Sequence, residues 1–236
     1  MDVLAEANRL RAEGHDVVSM AVGQPSDPAP EIVREAARAA LADGRIGYTD
    51  ALGLAGLRAA IAAHYADHYG VEVHVVRIVV TTGSSAAFNL AFLTLFDRGD
   101  RVAITAPGYP AYRNIMAVLG LEVVEISLGR EGYLTAAQLA EAHQRRPLKG
   151  MLFASPANPT GAVIPEAELR NLLEYAASHG IAAISDEIYH RLNYKSADVT
   201  ALAIRPDITV INSFSKYYCM TGWRIGWMVL PEELVR

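Results

Sequence analysis

Cysteine is nearly missing from this sequence: Cys219 is the only one in 236 residues. One thiol excludes an intrachain disulfide and a multi-cysteine zinc site, and it points to a reducing, cytoplasmic setting. Basic charge is also in short supply. Lys and Arg number 21 against 26 Asp and Glu, a net charge of −5, which is the wrong balance for a nucleic-acid footprint. No run reaches the ~18 apolar residues of a membrane span. The opening stretch, 1–14, is charged and amphipathic and lacks the apolar core of a secretory signal. Neither G-x-x-x-x-G-K-[ST] nor G-x-G-x-x-G occurs, so the two common phosphate-loop fingerprints are absent. His64 and His68 share a helix face, but no glutamate stands next to the first, and no metal site is expected. What remains is a globular composition, 52% hydrophobic and 20% charged, in a chain long enough to bury a sizeable core.

Strand-length apolar runs alternate with helical patterns through most of the chain. The expected strands are Ile78–Thr82, Arg101–Thr105, Glu122–Ser127, Gly150–Ala154, Ile181–Ser185, Ile208–Asn212 and Ile225–Leu230. Helical periodicity marks Ser84–Phe96, Ala111–Leu119, Thr135–Gln144 and Glu166–His179 between them. Continuously apolar strands separated by helices predict a three-layer α/β/α fold around a mainly parallel seven-stranded sheet. Residues 1–70 differ: helical patterns at 2–14, 31–42 and 54–69 surround the Gly/Pro-rich break Gly23–Pro30 and include no convincing core strand. They are expected to form an N-terminal helical arm, with residues 71–236 as the sheet domain.

Ligands of open α/β sheets collect beyond the carboxyl ends of the strands. Those tips carry Gly83-Ser84-Ser85, Pro107-Gly108-Tyr109, Ser155 to Gly161, Asp186 to Tyr189 and Ser213-Phe214-Ser215-Lys216. Taken singly, each has an ordinary structural reading. Ser84 is a good helix cap, Asp186 a cap or solvated turn, and Asn158-Pro159 a turn. Tyr109 reads as a core tyrosine, and a lone lysine such as Lys216 as a solvated surface group. No nucleophile–histidine–acid arrangement stands among them.

The combination is more specific. Ser213-x-Ser215-Lys216 is followed eight residues on by Arg224 and then Ile225-Gly226, with Asn158-Pro159-x-Gly161 and Asp186-x-x-Tyr189 upstream. In these motifs, and in their order from Gly23 to Leu230, the sequence resembles the fold-type I pyridoxal-phosphate-dependent aminotransferases of class I/II. Cys219 departs from the family, which has a small residue there, and is read as a packing variation.

The resemblance implies the cofactor pyridoxal 5'-phosphate and a role for each matching residue. Lys216 would be the Schiff-base lysine and proton carrier, and Asp186 the acid facing the pyridine nitrogen. Tyr189 and Asn158 would donate to the phenolic oxygen, and Tyr109 would stack on the ring. Ser84, Ser85, Ser213, Ser215 and Arg224 would hold the phosphate, Arg through its planar fork. Tyr48 matches a tyrosine that reaches the phosphate of a neighbouring subunit, which implies a homodimer with the site at its interface. Gly23, with Asn158, would lie beside the substrate. The implied reaction moves an amino group between an α-amino acid and a 2-oxo acid. A lyase or decarboxylase of the same fold, or a non-catalytic cofactor-binding fragment, remains open. No residue matches the family's carboxylate-clamping arginine, so the chain is expected to lack a C-terminal small domain, to which the arm would also contribute. Neither the amino donor nor the acceptor is legible.

Overall fold

A computed structural model describes residues 2–20, 22–44 and 46–235. The terminal residues of the two expected ranges, Met1 and Arg236, lie outside the described residues. All seven expected strands are present in one sheet: β1 (Ile78–Thr81), β2 (Arg101–Ala106), β3 (Glu122–Ser127), β4 (Gly150–Ala154), β5 (Ala182–Asp186), β6 (Thr209–Ser213) and β7 (Gly226–Val229). Their spatial order is β1-β7-β6-β5-β4-β2-β3. Only β7 runs against its neighbours, antiparallel to both β1 and β6; the other described pairings are parallel.

Side chains alternate across the sheet, as strand geometry requires. On one face Ile78, Met151, Phe153, Val210, Trp227 and Val229 pack under helices α3 (Ala55–Tyr69), α6 (Ala136–Arg145) and α7 (Glu166–Ser178). On the other, Val79, Leu152, Ile184, Ile211 and Met228 pack under α4 (Ser84–Leu95) and α5 (Pro110–Leu119). Burial on both faces explains why these strands read as unbroken apolar runs rather than as alternating ones.

The arm is less buried. Helix α1 (Asp2–Ala12) buries only Ala7, and α2 (Glu31–Asp43) buries nothing. Helix α3, grouped with the arm on sequence, drives Ile61 and Tyr65 into the core beside β1. Among the described residues no helix is long and apolar enough to cross a membrane.

Two shifts from the expected strand limits matter for function. Strands β5 and β6 each end one residue later than the hydrophobic pattern suggests, so Asp186 and Ser213 close their strands inside the hydrogen-bonded sheet. Their backbones are therefore held by the ladder: Asp186 pairs with Ala154 and Ile211, and Ser213 with Gly226.

Candidate active site

The carboxyl edge of the parallel strands gathers most of the residues singled out above. Because β7 is antiparallel, it begins where its neighbours end. Gly226 lies in register with both Thr81 and Ser213, and the two residues before it bring Arg224 to the same edge. Strand direction, not sequence proximity, thus places the arginine against the Gly83-Ser84 turn that follows β1.

That turn is built for close approach. Gly83 has φ +79°, and a Cβ there would lie 2.4 Å from Arg224 Nη2. A Cβ on Gly226 would lie 2.8 Å from the Ser84 backbone nitrogen. Helix α4 starts at Ser84 with no side chain capping its amides, which leaves N–H groups and the positive end of the helix dipole for an anion. The Ser213 hydroxyl accepts from the Ser215 N–H at 3.1 Å, and both serines are buried. Arg224 donates from Nη1 to the Thr221 carbonyl at 2.9 Å.

Asp186 is 4% exposed. The Tyr112 hydroxyl donates to its Oδ2, and the Ile188 N–H donates to Oδ1 at 3.1 Å. Burial pushes its pKa up to about 6, against the lowering effect of these two bonds; the charge of Glu187 adds to the rise. Burial and the facing carboxylate in turn raise the Tyr112 hydroxyl well above its ordinary value.

Lys216 Nζ lies 5.6 Å from the centre of the Tyr189 ring and donates to the Gly23 carbonyl at 2.6 Å. Burial lowers the ammonium's pKa, the attraction of Asp186 opposes this, and Arg224 lowers it further. A less basic amine spends more time neutral, the state a nucleophile or proton acceptor needs. Burial, and then the charge of Asp186, raise the pKa of Tyr189. Asn158 Nδ2 is 3.4 Å from Tyr189 Oη, a meeting made possible by the pairing of β4 with β5. Among the described residues none of Lys216, Asp186 and Arg224 is in an ion pair.

Tyr109, before α5, is 38% exposed, and its ring meets Tyr112 edge-on with centroids 5.4 Å apart. Tyr112 is the residue that sequence reasoning missed. Its one signal was its spacing, a helical turn after Tyr109 on a face that returns to the sheet. Tyr48 does not join the site within this chain; it is fully exposed. Cys219 has φ +54°, a left-handed conformation uncommon for residues other than glycine. Its N–H closes a turn onto the Lys216 carbonyl at 3.1 Å.

A guanidinium at a helix N-terminus, a buried acid and a lysine whose pKa burial lowers thus lie together on one edge of an α/β sheet, a set that could hold a phosphate-bearing group. A family profile described as aminotransferase class I and II matches residues 15–236. A valine–pyruvate aminotransferase of Mycobacterium tuberculosis is 51% identical over all of this chain and 61% of its own length. An aspartate aminotransferase of Streptomyces avermitilis is 34% identical over 98% of this chain and 59% of its own. Among solved structures, an aminotransferase from Mycobacterium tuberculosis superposes with a TM-score of 0.95 at 49% identity, covering 100% of this chain and 62% of that one. The Thermus thermophilus aspartate aminotransferase with maleate gives 0.93 at 35%, over 99% and 62%. This chain belongs to the class I and II aminotransferase family, and it spans about 60% of the length of the relatives it matches. Members of that family use pyridoxal 5'-phosphate.

The residues present fit such a group. The space that a Cβ at Gly83 would fill is taken by the Arg224 guanidinium, which forms a cationic wall over free helix amides. A buried acid without an ion-pair partner suits the protonated nitrogen of a pyridine ring.

Proposed function

We propose that the protein containing this chain is an aminotransferase that moves an amino group between an α-amino acid and a 2-oxo acid. The observation that carries this reading is the convergence of Lys216, Asp186 and Arg224, ionisable and without ion-pair partners among the described residues, on one sheet edge. Pyridoxal phosphate, when bound, supplies an electron sink for negative charge at a substrate's α-carbon. The chain's own residues would do the rest.

Arg224, the α4 amides at Ser84 and Ser85, and the Ser213 and Ser215 hydroxyls would hold the phosphate. Asp186, aimed by Tyr112, would keep the ring nitrogen charged. Tyr189 and Asn158 would donate to the phenolic oxygen, and Tyr109 would cover a ring face. Lys216, made less basic by burial, would anchor the cofactor and carry a proton to and from the substrate α-carbon. Its bond to the Gly23 carbonyl supports a placement beside the substrate. An open cleft of about 590 Å³, lined by Gln24–Ala29, Arg34, Cys219 and Thr221–Trp223, begins at the residue after Gly23 and would offer a way in.

The nearly unburied α1 and α2 helices and the exposed Tyr48 support two further parts of the proposal. The arm would pack against a small domain and a second copy of the chain, and Tyr48 would complete the partner's phosphate site. The setting would be cytoplasmic. Valine and pyruvate are the substrate pair to test first, because the relative bearing those names is 51% identical over the whole chain.

The decisive experiment mixes two inactive variants of the whole protein. Lys216→Ala is expected to lose amino transfer and to yield no cofactor-labelled peptide after borohydride reduction. Tyr48→Ala is expected to bind the phosphate weakly. Mixed under exchange conditions, they should recover up to about a quarter of wild-type turnover, since one hybrid site in two carries both residues. A Lys216→Ala protein that still transfers amino groups sinks the assignment; a mixture that recovers nothing sinks the shared site.

A further inference from the structure

Directly after Asp186 stands a second buried acid that the chemistry above does not use. Glu187 is 1% exposed. Asp186 faces Tyr112 of α5, so its neighbour along the strand direction faces the opposite layer, toward α3. There the Glu187 carboxylate is held by a dense set of donors. Oε1 accepts the Ala201 N–H at 2.8 Å and the Ser185 hydroxyl at 3.2 Å. Oε2 accepts the Thr200 hydroxyl at 2.9 Å, and Thr200 is itself fully buried. The Glu187 N–H donates to the Ile211 carbonyl at 2.8 Å, which extends the β5–β6 ladder by one step.

These partners come from the two ends of one excursion. After Glu187 the chain leaves the sheet, carries Tyr189 through the loop 188–199, and returns at Thr200. Glu187 therefore bonds the base of the loop to its far end. A buried carboxylate is expensive to desolvate, and its full satisfaction by fixed donors suits a clamp rather than a solvated turn.

We propose that Glu187 is a positioning residue for the cofactor site: by tying Thr200 and Ala201 to the tip of β5 it holds Asp186 and Tyr189 in their working places. The proposal rests on reading those two residues as cofactor contacts. Glu187 also brings a fixed negative charge next to Asp186. Asp186 lies across the backbone from it, and the titratable groups on its own side are His190, whose Nδ1 is 3.6 Å from Oε2, and Tyr65 and Tyr69 of α3, the latter bonded to His190 Nδ1 at 2.8 Å.

The test uses the whole protein with three variants, Glu187→Gln, Thr200→Val and Thr200→Ser. Three quantities are measured: pyridoxal phosphate affinity by quenching of tryptophan fluorescence, the pH midpoint of the bound cofactor's visible absorbance, and Tm without cofactor. Glu187→Gln and Thr200→Val should each weaken cofactor binding roughly tenfold, the loss expected of a hydrogen bond to a charged group, and Thr200→Ser should restore it. Glu187→Gln alone should move the pH midpoint downward, because removing a negative charge eases proton loss nearby. Variants that bind and titrate like the parent, or that lose only Tm, overturn the positioning role. A parent that binds no pyridoxal phosphate overturns the site reading and this inference with it.

Discussion

Without cofactor, Asp186 should work against the stability of the chain that holds it. Its pKa is pushed up from 3.8 to about 6 by burial, so the folded state keeps a proton that the unfolded chain releases. Between about pH 4 and pH 6 the unfolded state binds fewer protons than the folded one, and stability falls as pH rises. The rise of about 2 units corresponds to about 3 kcal/mol lost above pH 6. Asp186→Asn removes the charge and therefore the loss. It also leaves one amide group facing a donor, since Tyr112 and the Ile188 N–H both donate to the carboxylate; that mismatch costs about 1–2 kcal/mol. The variant should therefore be less stable than the parent by that amount at pH 4 and more stable by roughly 1–2 kcal/mol at pH 8, a few degrees in Tm. Urea denaturation of the cofactor-free chain across pH 4 to 8 would trace both curves, and they should cross. Cofactor affinity should move the other way, since Asn cannot hold a charged ring nitrogen. Parallel stability curves would refute the idea that Asp186 is an uncompensated buried acid.

Tyr112→Phe removes the hydroxyl donor to Asp186 and should cost about 2–3 kcal/mol at pH 8, where the carboxylate is charged, and less at pH 5; an equal loss at both values counts against the bond. Gly83, at φ 79° and ψ 166°, sits in a backbone region that only glycine adopts readily, so Gly83→Ala should add about 1–3 kcal/mol of strain and push the Arg224 guanidinium away, with pyridoxal phosphate affinity falling at least tenfold by fluorescence titration. Gly180→Ala is the control, because its φ is +65° with open space around the missing Cβ. It should lose stability alone, and if both variants lose affinity equally, Arg224 is not what Gly83 makes room for.

The parts of this molecule that sequence could reveal are those set by local burial. Most of the seven apolar runs became strands covered on both faces, a condition that selects unbroken Ile, Val, Leu and Ala; β3, at the sheet edge, buries only Ile126 and keeps Glu122 and Glu125. Where each strand stops was less visible. Asp186 and Ser213 are polar and read as the first residues of loops, yet the ladder continues through both. Direction was not legible at all. Nothing in Gly226–Val229 says that this strand runs backward, and that reversal alone delivers Arg224 to the Gly83-Ser84 turn. Motif order could name the arginine while giving no account of how it arrives. Tyr112 and Glu187 escaped for a related reason: a tyrosine inside a helix and an acid after a strand each have a commoner explanation. What distinguishes them is a partner far along the chain, Asp186 at a separation of 74 residues for Tyr112 and Thr200 for Glu187. A motif carries the residues that touch a ligand. The residues that hold those in place are written in the topology, which in this family's sheet is where the second layer of the site has to be sought.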